Sequence, residues 1–152
     1  MLRKALPKDV RRIHELINAS ASKGEMLARS LSEIYENVRD FFVYEEDGRI
    51  IGTCAVHVFW GDLAEIRSLC VEEPFRGRGI GGQLVSACIE EARSLGIDRL
   101  FLLTYMSDFF SQFGFRIVDR EELPQKIWTD CVRCPKYPAC DEVAMVRRIG
   151  GE

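Results

Sequence analysis

The stretch "VEEPFRGRGIGGQLVSACIEEARSLGI", residues 71–97, constrains this chain more than any other. Arg76, Gly77, Arg78, Gly79, Ile80, Gly81 and Gly82 set four glycines and two arginines directly before an amphipathic run. In that run Ile80, Leu84, Cys88, Ala92 and Leu95 share one helical face, and Gly96 stands where a helix would end. Upstream, "GDLAEIRSLCV" reads as a strand introduced by a Gly61-Asp62 turn; downstream, "RLFLLTY" reads as a buried strand. Strand, glycine turn, helix and strand form a right-handed crossover between two parallel strands.

A glycine turn at a helix N-terminus makes an anion site. The first helical N–H groups lack partners inside the helix, and the helix dipole adds partial positive charge there. Glycines let a diphosphate approach bare backbone, and arginines add charge-assisted contacts. A nucleotide P-loop would end in Gly-Lys-Ser or Gly-Lys-Thr, which is missing here. A dinucleotide fingerprint would open its βαβ unit early, whereas here a hairpin comes first.

That hairpin lies in "FFVYEEDGRIIGTCAVHVFW", two β-rich runs around Glu46-Asp47-Gly48-Arg49. Before it, residues 2–6 suggest a short strand. Pro7 opens a helix carrying Val10, Ile13 and Ile17, and Gly24 breaks the chain beyond it. Ser30 and Glu33 make a capping box ahead of a second helix. "SDFFSQFGFRIV" predicts a short helix leading into a strand, and "DEVAMVRRI" a last strand. The class is α+β, a mixed sheet, over one domain spanning residues 1–152.

At a net charge of −3 the chain is a poor general nucleic-acid binder. No apolar run approaches a membrane span and no signal segment is evident, so a cytoplasmic protein is the simplest expectation. Cys54, Cys70 and Cys88 fall within apolar periodic segments, as small hydrophobes.

Arg76-x-x-Gly79-x-Gly81, after "IRSLCV" and before an amphipathic helix, resembles the acetyl-CoA motif of the GNAT acyltransferases. The likeness extends to "FFSQFGF", similar to that family's helix ending in Gly-Phe. It implies a mostly antiparallel sheet with one parallel strand pair and helices on both faces. It also implies acetyl-CoA as co-substrate, its pyrophosphate on residues 76–82 and its pantetheine arm along Leu69 and Val71. A narrower resemblance, carried by "AEIRSLCV", "LFLLTY", "FGF" and "ELPQK", is to the acetyltransferase domain of the bacterial N-acetylglutamate synthases. The tail "WTDCVRCPKYPACDEVAMV" resembles their short form. This subgroup implies an amino-acid acceptor, glutamate, and transfer to its α-amino group. Another small amine, another amino acid or a protein N-terminus keeps the fold and changes the acceptor; an acyl-CoA sensor keeps the fold and loses the reaction. The fold allows a homodimer through late strands.

Direct attack of an amine on a thioester needs a neutral amine and a proton for the leaving thiolate. The resemblance places the base on the strand before the motif, where Glu65 is the candidate. Period-2 alternation puts it on one face with Arg67, Leu69 and Val71. The family's proton-donating tyrosine falls at Phe110, which has no proton to give; Tyr105 is the substitute. Arg67 suits a carboxylate of the acceptor. Arg3, Lys4 and Arg29 are further basic residues, and Ser107 offers a hydroxyl or a helix N-cap.

Cys131, Cys134 and Cys140 supply three of the four ligands a structural zinc takes, and Asp141, His57 or His14 would have to supply the fourth. No metal is assigned, and the chemistry requires none. His14 follows Ile13 on its helix, toward partial exposure.

Overall fold

A computed structural model of the protein describes residues 1–123 and 141–151. Cys131, Cys134 and Cys140 lie outside the described residues. Strand β1 (Leu2–Lys4) is followed by helices α1 (Val10–Ser22) and α2 (Leu31–Glu36). Strands β2 (Phe41–Glu46), β3 (Arg49–Trp60) and β4 (Leu63–Val71) form a meander, and α3 (Ile80–Ser94) crosses to β5 (Arg99–Thr104). The chain closes with α4 (Ser107–Ser111), β6 (Arg116–Val118) and β7 (Val143–Arg148). These strands make one seven-stranded sheet in the order β1-β2-β3-β4-β5-β7-β6. Every neighbouring pair is antiparallel except β4 and β5.

Local chemistry explains most boundaries. The Ser30 hydroxyl accepts from Glu33 N–H at 3.1 Å while Ser30 N–H donates to the Glu33 carboxylate at 3.3 Å, closing the capping box. Asp47 (φ 51°) and Gly48 (φ 76°) carry the two left-handed positions of the β2–β3 turn. Gly96 (φ 78°) is the left-handed residue just past the C-cap of α3. Leu95, expected on the buried face, is 54% exposed, because the helix ends at Ser94 and Leu95 caps it. The opening strand stops at Lys4, and Leu6 is exposed.

Helices cover both faces. Ile80, Leu84, Val85 and Cys88 of α3 pack with Ile51, Cys54, Val56, Ala64 and Ile66 on one side. Ile13 and Ile17 of α1 pack with Val43, Ala55 and Cys70 on the other. Gly52 allows the close approach of α3 to β3: a Cβ there would stand a tight 3.1 Å from Leu84 Cδ1 and 3.3 Å from Ile80 Cγ2. His14 is half-buried, as its place beside Ile13 suggests.

Arg3 holds the edge strand in place. Its guanidinium donates to both oxygens of Asp9 (2.8 and 3.0 Å) and to Glu45 (2.7 Å), so it is committed to the fold rather than to an acceptor. Lys4 pairs with Glu91 and lies 4.6 Å from the Phe42 ring centroid. Arg29 is buried, with Glu33 at 3.5 Å.

Candidate active site

Strands β4 and β5 begin side by side and then part. Their parallel pairing runs through Leu63↔Arg99, Ala64↔Leu100 and Glu65↔Phe101 and goes no further among the described residues. Beyond it β4 stays with β3 as far as Val71↔Gly52, and β5 stays with β7 as far as Thr104↔Val143. A wedge opens between them and widens into a cleft of about 850 Å³. One wall carries Leu69, Cys70 and Val71; the other carries Thr104, Tyr105, Met106 and Phe109. Its floor is the turn holding Arg76, Gly77, Gly79, Ile80, Gly81 and Gly82.

The turn has the geometry of an anion cradle. Gly77 (φ 84°) and Gly79 (φ 79°) are left-handed, and an added Cβ at either would meet nothing within 4 Å, so backbone conformation demands glycine there. Gly79 is the N-cap of α3. Among the described residues, the main-chain N–H groups of 77–82 have no protein acceptor; Arg76 N–H goes to Glu73 and Gln83 N–H to Gly79. Six main-chain donors without a protein acceptor therefore cluster at the helix N-terminus, five of them on residues that line the cleft. Gly82 has a packing reason instead: an added Cβ would come within 3.3 Å of Phe113 Cζ, whereas one at Gly81 would lie at an ordinary 3.6 Å from Phe109 Cζ. Phe109 of α4 and Phe113 just after it pack against the start of α3.

The arginines are held by acidic partners. Arg76 Nε donates to Val71 O at 2.9 Å and its Nη2 lies 3.5 Å from Glu25. Arg78 lies 3.5 Å from Glu46 and over the Phe75 ring at 5.1 Å. These pairs are exposed and weak, so a diphosphate can replace the carboxylates. A CoA diphosphate fits this turn: the amides of 77–82 would hold its oxygens and Arg76 and Arg78 would balance its charge.

The four β4 residues expected on one face are divided between two. Ser68 adopts φ 60°, and the β3–β4 register shifts between Thr53↔Cys70 and Ala55↔Arg67, the mark of a bulge. Leu69 and Val71 consequently join Ala64 and Ile66 on the α3 side, while Glu65 and Arg67 face the opposite side. Glu65 is 2% exposed, with Arg67 Nη1 at 3.5 Å. Neither belongs to the lining of the described cleft. His57 lies directly across from Glu65 on β3, and its Nδ1 is 2.7 Å from Asp40 Oδ2. That arrangement had no local sequence signal.

Tyr105 follows β5 directly and lines the cleft. Phe110 instead sits 4% exposed in the core, edge-on to Phe109 and Phe115. Ser107 is the first residue of α4, not its cap; Met106 holds that position, its N–H donating to Thr104 Oγ1 at 2.8 Å. The Cys70 thiol is pushed up to about 12 by burial, so it is no nucleophile at neutral pH. Ser20 from the last turn of α1 and Gly24, Glu25 and Met26 from the α1–α2 connection complete the cleft, which sequence reasoning missed because nothing nearby in the chain points to it.

Comparison with known proteins agrees with this geometry. The Acetyltransferase (GNAT) family matches residues 10–115. An uncharacterized N-acetyltransferase of Chlorobaculum tepidum is 43% identical over 148 residues, covering 97% of this chain and 96% of that protein. An amino-acid acetyltransferase of Mycobacterium tuberculosis is 33% identical over 136 residues, covering 88% of this chain and 78% of that protein. The N-acetylglutamate synthase of Neisseria gonorrhoeae, solved with coenzyme A and N-acetyl-glutamate, superposes with a TM-score of 0.87 at 29% identity. That match takes in 97% of this chain but 34% of the other.

Proposed function

We propose, from the premise that this chain belongs to the acetyltransferase (GNAT) family, that it moves the acetyl group of acetyl-CoA to the α-amino group of L-glutamate. Membership makes the chain an N-acetyltransferase, and the finer reading concerns its acceptor. One observation carries the cofactor side: the β4–β5 wedge ends on a glycine turn whose amides have no protein acceptor among the described residues. On the acceptor side, support comes from the kinship with amino-acid acetyltransferases and from a basic and an acidic residue, Arg67 and Glu65, held together on β4.

The roles follow from chemistry. The amides of 77–82 and the two arginines fix the diphosphate, so the acyl thioester extends up the wedge past Leu69 and Val71. Glu65 takes a proton from the acceptor's ammonium, and the neutral amine attacks the thioester carbonyl. Arg67 grips an acceptor carboxylate. The CoA thiolate leaves and receives a proton from Tyr105, which stands in the cleft where Phe110 does not. With Cys70 buried and protonated, direct attack is preferred over an acyl-cysteine intermediate.

Thiol release from acetyl-CoA, measured against a panel of amino acids and small amines, tests the reading. Glutamate should turn over best, and Arg67→Lys should raise its KM while leaving acetyl-CoA affinity alone. Equal or better turnover of an amine without a side-chain carboxylate would overturn glutamate as acceptor.

A further inference from the structure

We propose that the Asp40–His57 pair is the proton exit of this active site, carrying to solvent the proton that Glu65 removes from the acceptor. The inference rests on Glu65 as the base, and three features of the structure support it. His57 and Glu65 are register partners across β3 and β4, so their side chains leave the same face with Cβ atoms about 5 Å apart. The ring is oriented: Nδ1 lies 2.7 Å from Asp40 Oδ2, and Phe59 meets it edge-on at 5.2 Å. Exposure falls along the route, from 28% for His57 and 27% for Asp40 to 2% for Glu65.

A buried carboxylate that accepts a proton in every cycle must lose it again without opening the site. With Nδ1–H donating to Asp40, Nε2 is the ring atom that accepts. The acceptor ammonium gives its first proton to Glu65, which becomes the neutral acid. Glu65 passes that proton to His57, whose Nδ1 stays on Asp40, and water at the surface takes it. The second amine proton, released after attack on the carbonyl, replaces the one Tyr105 has given to the CoA thiolate. One ammonium and one thioester thus yield one amide, one thiol and one released proton. The charged groups that the pairing and contacts place beside His57 are Asp40, its ring partner from the turn before β2, and Glu65, its register partner on β4, with Arg67 paired to Glu65. His57 acts through Glu65 and is a positioning and relay residue.

The test compares wild type, Glu65→Gln, His57→Ala and Asp40→Asn in the thiol-release assay with the best acceptor of the panel, across pH and with added imidazole. His57→Ala should lower kcat about 100-fold, within the range of a lost proton-transfer group, with the acetyl-CoA KM unchanged. Imidazole should restore much of that loss, because the deleted ring is part-exposed. Asp40→Asn should lower kcat about tenfold, as loss of an orienting carboxylate does. Wild-type kcat and pH profile in His57→Ala beside an inactive Glu65→Gln would overturn the relay and leave the base standing. A loss in His57→Ala that is equal at every pH and indifferent to imidazole would also overturn it. Full activity in Glu65→Gln would remove the base, and the relay with it. Should His57→Ala not fold, an unchanged kcat in Asp40→Asn overturns the proposal.

Discussion

Arg76 donates its Nε–H to the carbonyl of Val71 at 2.9 Å, so a residue expected to grip phosphate also ties the glycine turn to the end of β4. Its terminal nitrogens remain for an anion, shared at present with Glu25 at 3.5 Å. Arg76→Ala should weaken CoA binding by about 1 kcal/mol, roughly fivefold, given the exposure of the group. Arg76→Lys, which keeps charge but cannot both bond Val71 and face the turn, should fall between. Titration calorimetry with CoA reads both.

The turn glycines separate backbone strain from ligand approach. Gly79→Ala places a Cβ at φ 79° and should cost about 1–2 kcal/mol of stability, read as a lowered Tm. Gly81 is helical, with Phe109 Cζ at an ordinary 3.6 Å from an added Cβ. Gly81→Ala should hold or raise Tm, since alanine favours helix by about 1 kcal/mol. Its methyl would still intrude on the cradle and raise the Kd for CoA. Stability and affinity should therefore move in opposite directions in this variant.

Tyr105 and Phe110 should not be interchangeable. Tyr105→Phe is expected to lower kcat about 10- to 100-fold with little change in acetyl-CoA KM, as for loss of a proton donor. Adding Phe110→Tyr should not restore the rate, because that position is 4% exposed within the aromatic core. A buried hydroxyl without a partner should instead cost about 1–3 kcal/mol. Steady-state kinetics and thermal melts of the single and the double variant check this.

Asp9 sets a pH limit on the fold. Its carboxylate accepts from both terminal nitrogens of Arg3 and from Leu6 N–H at 2.7 Å, and the Arg3 contact holds it below the usual carboxylate range despite burial. A carboxylate depressed in the folded state stabilises above its unfolded pKa of about 3.9, and that stability is lost as pH falls through the folded value. Asp9→Asn should lose about 1–3 kcal/mol near neutrality and show a shallower acid limb than wild type. Urea unfolding midpoints over descending pH read the difference.

Much of the cofactor side was legible in the chain because its determinants are local. Left-handed glycines, helix-start donors and the 80–92 apolar face depend on residues a few positions apart, and so do the Ser30–Glu33 box and the Asp47-Gly48 turn. The parallel crossover followed from the order of elements. The acceptor side was not legible in the same way.

What the sequence alone determined was the anion-binding turn and the elements around it, since each needs only its own neighbours' chemistry. The tertiary structure decided which way β4 presents its side chains. The bulge at Ser68 exists in the pairing of β4 with β3, and it turns Leu69 and Val71 away from the face of Glu65 and Arg67. Alternation holds only while a strand's register is unbroken, and register belongs to two strands at once. Burial of Phe110, closure of the cleft by residues 24–26 and the approach of Asp40 to His57 have the same origin. Each joins segments whose separation in the chain carries no trace of their contact.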